Sequence, residues 1–284
     1  LEEIGNDEAI ASNKYDRAMK LINSGDYDSA YILLEEIGNA ETIASSKYDR
    51  AVALIESGDY ESAYILLRGL DYKDSARKRE SIRLQYEKIL LDRAKVGDYV
   101  FFGTYEQDND SSNGKEDIEW LVLAKNGNKT LVISKYALDW QQYNTSDTDV
   151  EWESCSLRKW LNGTFASSAF TSDEQRMIQN ATVTADENPS YSTSPGDNTT
   201  DKVFLLSIEE AEKYFATDES RKCSPTAYAE AQGAATSSEA TCYWWLRSPG
   251  GEQYNAAYVS TEGSVNYYGN IVYSVHYYIA VVAA

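Results

Sequence analysis

The chain holds one histidine, His276, and three cysteines, Cys155, Cys223 and Cys242. A Ser-His-Asp device would have to use His276, which sits among Tyr and Ser residues near the C-terminal end, and no nucleophile-elbow sequence accompanies it. Neither a Cys-x-x-Cys pair nor a set of histidines is present to build a zinc site. The thiols read either as buried core residues or with Cys223 and Cys242 bridged. Phosphate-binding glycine loops are missing. The stretch Asp108-Asn-Asp-Ser-Ser-Asn-Gly114, with Glu119 at the twelfth position, imitates a calcium loop but puts Asn113 where Gly is needed, between strand-like flanks, so it reads as a polar hairpin connection. Carboxylate pairs such as Glu151 with Glu153 or Glu209 with Glu210 carry little information in a chain with 46 acidic residues. The expectation is a protein that is not an enzyme, with no catalytic residue, metal or cofactor.

The chemistry that remains is recognition. From Tyr254 to Tyr278 the sequence has seven Tyr, three Ser, three Asn and two Gly, and no Lys or Arg. Antibody binding surfaces draw on the same residues, because Tyr offers a large amphipathic contact at low rotamer cost and Ser, Gly and Asn add adaptable hydrogen bonds. A tyrosine-rich sheet with ordinary cross-strand pairs would have the same composition. Ala257, Val259, Val265, Ile271, Val272 and Val275, with Gly263 and Gly269, read as a framework of short strands and turns. Just upstream, Tyr243-Trp-Trp-Leu-Arg-Ser-Pro-Gly-Gly251 supplies two indoles for a core, a turn at Pro249-Gly250, and Arg247 for an internal ion pair or carbonyl bonds.

Two domains must position this segment, given 284 residues. In the first, residues 1–94, Leu1-Glu-Glu-Ile-Gly-Asn6 returns at 34–39, Lys14-Tyr-Asp-Arg-Ala18 at 47–51 and Ser24-Gly-Asp-Tyr27 at 57–60, a period of 33. Apolar residues at helical spacing on either side of Gly-Asp-Tyr predict helix pairs, with Gly25 and Gly58 ending the first helix of each and a capping helix over about 74–94. These pairs resemble tetratricopeptide-type repeats, which act either as spacers or as grooves for a partner chain. In the second, residues 95–284, alternation predicts strands Tyr99–Gly103, Ile118–Ala124, Thr130–Ser134 and Lys202–Leu206. Short helices are expected at Ser156–Asn162, closed by Gly163, at Ser172–Gln179, and from the capping box Ser207-Ile-Glu-Glu210. Residues 185–201 form a long polar loop. The fold class is therefore multidomain, an all-α repeat part followed by an α+β domain.

The net charge of −20 argues against nucleic acid or anionic membrane as partners. Because Leu1 falls partway into a repeat, upstream sequence is expected, and with it a bacterial surface or secreted location.

Ile118-Glu-Trp-Leu-Val-Leu123, Leu131-Val-Ile-Ser-Lys-Tyr-Ala-Leu138, Ser156-Leu-Arg-Lys-Trp-Leu-Asn162, Asp201-Lys-Val-Phe-Leu-Leu-Ser207, Thr226-Ala-Tyr-Ala229 and Trp244-Trp-Leu-Arg-Ser-Pro-Gly250 resemble a domain of unknown function common in gut Firmicutes. The ending is similar to the variable proteins of diversity-generating retroelements. That resemblance implies a C-type-lectin-like fold related to formylglycine-generating enzymes, with adenine-directed mutagenesis rewriting surface codons near the C-terminus. Randomising both adenines of an AAY codon can yield Tyr, Ser, Asn, His, Thr, Ile, Val or Ala, but not Lys, Glu, Gln, Met or Trp. Tyr254, Tyr258, Ser260, Asn266, Tyr267, Tyr268, Asn270, Tyr273, Ser274, His276, Tyr277 and Tyr278 lie within that set and are the expected ligand-binding positions, whereas Gln253 and Glu262 lie outside it and should be fixed. The expected partner is a protein or glycan. A formylglycine-generating type of enzyme and a scaffold whose repeats do the recognising are the alternatives. Family members typically end in Gly-Val-Arg-Pro-Ala; this chain ends in Ala280-Val-Val-Ala-Ala284, without the framework Arg and Pro. The lectin signatures for calcium and sugar are missing as well.

Overall fold

The structure is a computed structural model that describes residues 2–233, 236–274, 278–279 and 282–283, with side chains over 8–233 and 236–274. His276 and Tyr277 lie outside the described residues, and Tyr278 is described by its backbone alone. An N-terminal helical unit, Leu1–Ile89, is followed by a mixed unit, Leu90–Ala284. The division falls inside a helix, five residues before the expected 94/95 boundary, because Leu90, Leu91 and Ala94 pack with the core of the mixed unit.

The helical unit contains α1 (Glu2–Ser24), α2 (Tyr27–Glu36), α3 (Ala40–Ser57), α4 (Tyr60–Leu67) and the start of α5 (Ser75–Arg93). The repeated Ser-Gly-Asp-Tyr builds the same joint twice. Gly25 and Gly58 take left-handed conformations after α1 and α3, and the next residue caps the following helix, Asp26 accepting from the Ser29 N-H and Asp59 from the Ser62 N-H. Ala30 and Ala63 are fully buried, as their small size allows where helices approach closely. Tyr64 of α4 and Tyr86 of α5 stack with ring centroids 4.1 Å apart. No described helix is long and apolar enough to cross a membrane.

The mixed unit opens with an antiparallel meander, β1 (Tyr99–Tyr105), β2 (Glu116–Asn126) and β3 (Lys129–Ser134), then a short β4 (Asp139–Trp140). Four short helices follow: α6 (Ser156–Trp160), α7 (Ala166–Ala169), α8 (Ser172–Met177) and, beyond β5 (Ala181–Val183), β6 (Thr199–Asp201) and β7 (Val203–Phe204), α9 (Ile208–Tyr214). Gly163 does not end α6. A π-helical turn, Leu161–Phe165, carries the chain on into α7, held by the fully buried Leu161 and Phe165. Ser207 and Glu210 form the expected capping box on α9. After α10 (Asp218–Arg221) and α11 (Ala227–Ala231) come β8 (Trp244–Pro249), β9 (Asn255–Val259), β10 (Val265–Ile271), β11 (Tyr278–Ile279) and β12 (Val282–Ala283).

Ten of these strands make two five-stranded sheets, ordered β1-β2-β3-β12-β7 and β10-β9-β8-β11-β4, and β5 pairs with β6 in a separate two-stranded sheet. Pairing is antiparallel except for β11 beside β8. The last described strands join one sheet each: β11 lies between β8 and β4, and β12 between β3 and β7. One core fills the unit, with Trp120, Trp244, Trp245, Tyr143 and Phe165 as its largest fully buried members.

Candidate ligand-binding face

Strand β8 is the anchor, all six residues being buried. The Trp244 indole donates to the Arg221 carbonyl at 3.1 Å and the Trp245 indole to the Gln141 carbonyl at 3.3 Å, so each buried N-H has a partner. Arg247, 4% exposed, is held on every side. Its guanidinium donates to the Thr184 carbonyl at 3.2 Å and the Leu205 carbonyl at 2.9 Å, and pairs with Asp186 at 2.9 Å and with Glu210. Glu210 also accepts from the Ser207 N-H, so the cap of α9 and the strand β8 share one carboxylate.

Strands β9 and β10 carry the expected binding positions, and the structure sorts them. Tyr254, Tyr268 and Tyr273 are exposed, at 40, 50 and 47%. Tyr258 is half-buried, its ring edge-on to Tyr243 and its hydroxyl accepting from Asn266 Nδ2 at 3.0 Å. Asn266 in turn accepts from the Gly269 N-H at 2.9 Å, which closes the bulge where Gly269 turns left-handed. Tyr267 donates its hydroxyl to Glu212 on α9, and that bond pushes its pKa up to about 12. Ser260 accepts from the N-H groups of Glu262 and Ser264 and shares a 2.8 Å bond with the Ser264 hydroxyl, so it shapes the turn between β9 and β10. Asn270 accepts from the Ile271 N-H at 2.7 Å.

Two expectations are corrected. Ser274, expected to face solvent, is only 7% exposed, and Ile271, assigned to the framework, is 42% exposed. Val272 sets the phase: it is drawn inward at the turn Val272-Tyr273 and donates its N-H to the Tyr254 carbonyl at 2.9 Å, and strict alternation about it places Ile271 and Tyr273 outward and Ser274 inward.

Part of the face was not evident from the sequence. The polar loop 184–198 is bonded along the C-terminal segment at four points: Asn188 Nδ2 donates to the Pro249 and Tyr267 carbonyls at 2.8 and 2.7 Å, Thr193 to the Gly250 carbonyl at 2.6 Å, and Gln253 and Ser194 exchange two bonds of 3.0 Å. These bonds give Gln253 a framework role. Tyr191, 38% exposed, packs edge-on against Tyr268 at 5.7 Å and extends the aromatic patch. The loop 141–154 closes the other side, through Gln142 to the Tyr273 carbonyl at 2.6 Å, Asn144 N-H to Val272 at 2.9 Å and Val150 N-H to Gln253 at 3.2 Å.

Elsewhere, the calcium-like stretch is the β1–β2 hairpin connection. Glu106, Asp108 and Glu116 bring their oxygens within 4.8 Å of one another, but Glu119 points away, to Lys135 at 2.7 Å, and Asp108 and Glu116 accept from the loop's own N-H groups. All three cysteines are buried and free. Burial pushes the Cys155 thiol up to about 12, and burial with the neighbouring Cys223 holds Cys242 well above its ordinary value. Thiols in that state are poor nucleophiles. In thiol titration the native protein should react slowly and the unfolded protein should yield all three thiols; two missing thiols that reductant restores would mean a bridge instead.

A family described as "Domain of unknown function (DUF6273)" matches residues 127–280. No curated protein and no solved structure matches the chain.

Proposed function

Because the chain belongs to the DUF6273 family, whose description names no activity, we propose from the geometry that it is a non-enzymatic binding protein whose contact surface is the tyrosine face of β9, β10 and the loops beside them. We further propose that the mixed unit is a C-type-lectin-like domain of the kind that diversity-generating retroelements vary, and that the helical unit is a tetratricopeptide-like stack serving as its spacer. The observation that carries the reading is the exposure of Tyr254, Tyr268 and Tyr273 together, one on β10 and two in the turns beside β9 and β10, where their neighbours Asn255, Val272 and Ser274 are buried. Large rings held in water by a rigid frame lose little rotamer entropy on contact, which is what a binding hot spot needs.

Tyr254→Ala, Tyr268→Ala and Tyr273→Ala should each change stability by no more than about 0.5 kcal/mol, as for surface sites in general. Each central one should cost about 2 kcal/mol or more of affinity once a ligand is in hand. Thermal denaturation and titration of the same variants check both halves. If the triple variant melts like a core variant, the rings serve the fold and the reading fails. The genetic half has its own check in the DNA beside the gene: a near-identical copy of the last codons with adenines at the variable positions, next to a reverse transcriptase gene. Lack of both would leave a fixed binding surface rather than a diversified one.

A further inference from the structure

We infer that the tyrosine face takes a cationic protein surface, rich in Arg and Lys, as its partner; this rests on the reading of that face as a binding surface and narrows it to one chemical class.

The argument is charge complementarity. Three segments meet at the face, joined by the hydrogen bonds described above: 141–157, 178–201 and 248–274. None contains a single Lys or Arg. Between them they present Asp147, Asp149, Asp197 and Glu252 as exposed carboxylates, with Glu151 and Glu153 half-buried beside them. The segments are close enough for these charges to act on the rings. The pKa of Tyr254 is raised, first by partial desolvation and then by the charges of Glu252, Asp147 and Asp149 among others. Of the cations that directly adjoin these segments in sequence, Arg247 is buried and bonded to two carboxylates, Arg158 pairs with Asp201 at 2.7 Å, and Lys202 donates to the Gln175 carbonyl.

A partner that covers this face must desolvate carboxylates. Removing an anion from water without a counter-charge is costly, so a neutral surface would lose much of what it gained by contacting the rings. An anionic glycan, nucleic acid or acidic membrane would meet repulsion instead. Guanidinium and ammonium groups answer both features at once: they pair with the carboxylates and stack on tyrosine faces. The long-range field would also steer such a partner during encounter.

The test is a selection from a randomised 12-residue peptide display library on the immobilised full chain, with counter-selection on Tyr254→Ala/Tyr268→Ala/Tyr273→Ala. The counter-selecting protein keeps the parent's net charge, so peptides that merely respond to overall acidity are removed. A glycan array carrying neutral and anionic sugars is read in parallel with the same two proteins. The expected result is peptides enriched in Arg and Lys. Their affinity should fall about tenfold or more in Asp147→Asn/Asp149→Asn/Glu252→Gln, and should weaken as ionic strength rises. Face-dependent peptides without cationic enrichment, or face-dependent binding of sugars alone, would overturn the cationic partner while leaving the binding surface standing. If neither library yields anything that depends on the three tyrosines, the binding surface itself falls with it.

Discussion

Arg247→Ala should lower the stability of the mixed unit by about 3–5 kcal/mol, the usual cost of breaking a buried ion pair from one side. In a unit of this size that corresponds to a melting point lower by roughly 6–20 °C. The magnitude follows from what is left behind. Asp186 and Glu210 have partly buried side chains, at 22 and 25% exposure, and would face each other's charge without the guanidinium. The Thr184 and Leu205 carbonyls would lose donors in the same step. Thermal denaturation at neutral pH measures the loss. Arg247→Lys should recover only a fraction, because an ammonium cannot span two carboxylates and two carbonyls in one plane. Equal stability of Arg247→Ala and the parent would show that the cluster holds nothing.

The second large effect is expected at Gly263. Its φ is +84°, and a Cβ added there would overlap the carbonyl oxygen of Asp218. The close approach has a purpose: Arg221, at the other end of the short helix α10 that Asp218 begins, donates to the Gly263 carbonyl at 2.8 Å, and the Arg221 carbonyl receives the Trp244 indole. The turn between β9 and β10 is thereby fastened to α10 and on to β8. Gly263→Ala combines a left-handed alanine with an overlap against backbone, for roughly 2–5 kcal/mol. Urea denaturation should show the midpoint shift, with increased hydrogen exchange at 260–265. A shift no larger than that of an exposed glycine would mean the turn relaxes freely.

Much of this frame can be read from residue order, and the reasons are local. The helix joints follow from Ser-Gly-Asp-Tyr, whose glycine and capping aspartate act within four residues, and the capping box at Ser207 and Glu210 is equally short-range. Trp244, Trp245 and Arg247 can be assigned to the interior because large rings and a lone cation amid apolar residues have few other places to go. What composition leaves unsettled is which side each residue of 254–274 faces. The bulge at Gly269 gives β10 two residues more than β9 between the pairs 266/258 and 270/256, and from there exposure alternates through the turn, with Ile271 and Tyr273 outward and Val272 and Ser274 inward. The continuation of α6 past Gly163 is similar, since buried Phe165 outweighs the glycine's local preference. The loop 184–198 was least legible. Its bonds through Asn188, Thr193 and Ser194 reach partners some sixty residues or more away, and nothing in a polar loop sequence announces such partners.

Among the candidate positions the structure separates jobs that composition had merged. Asn266, Ser260 and Asn270 spend their side chains on turns and the bulge, and Tyr267 on Glu212. Tyr254, Tyr268 and Tyr273 make up the exposed part, with Tyr191 added from the loop. A division is therefore expected between a frame that tolerates little change and a few exposed positions that tolerate much.

That division can be measured in one experiment: a library with every position from 244 to 274 fully randomised one at a time, sorted for folded protein by resistance to protease and sequenced. The account predicts that Tyr254, Tyr268 and Tyr273 accept nearly any residue, while Trp244, Trp245, Arg247, Gly263 and Gly269 accept almost none. Tyrosines as intolerant as Arg247 would contradict it, since rings that the fold requires are not held out for a partner.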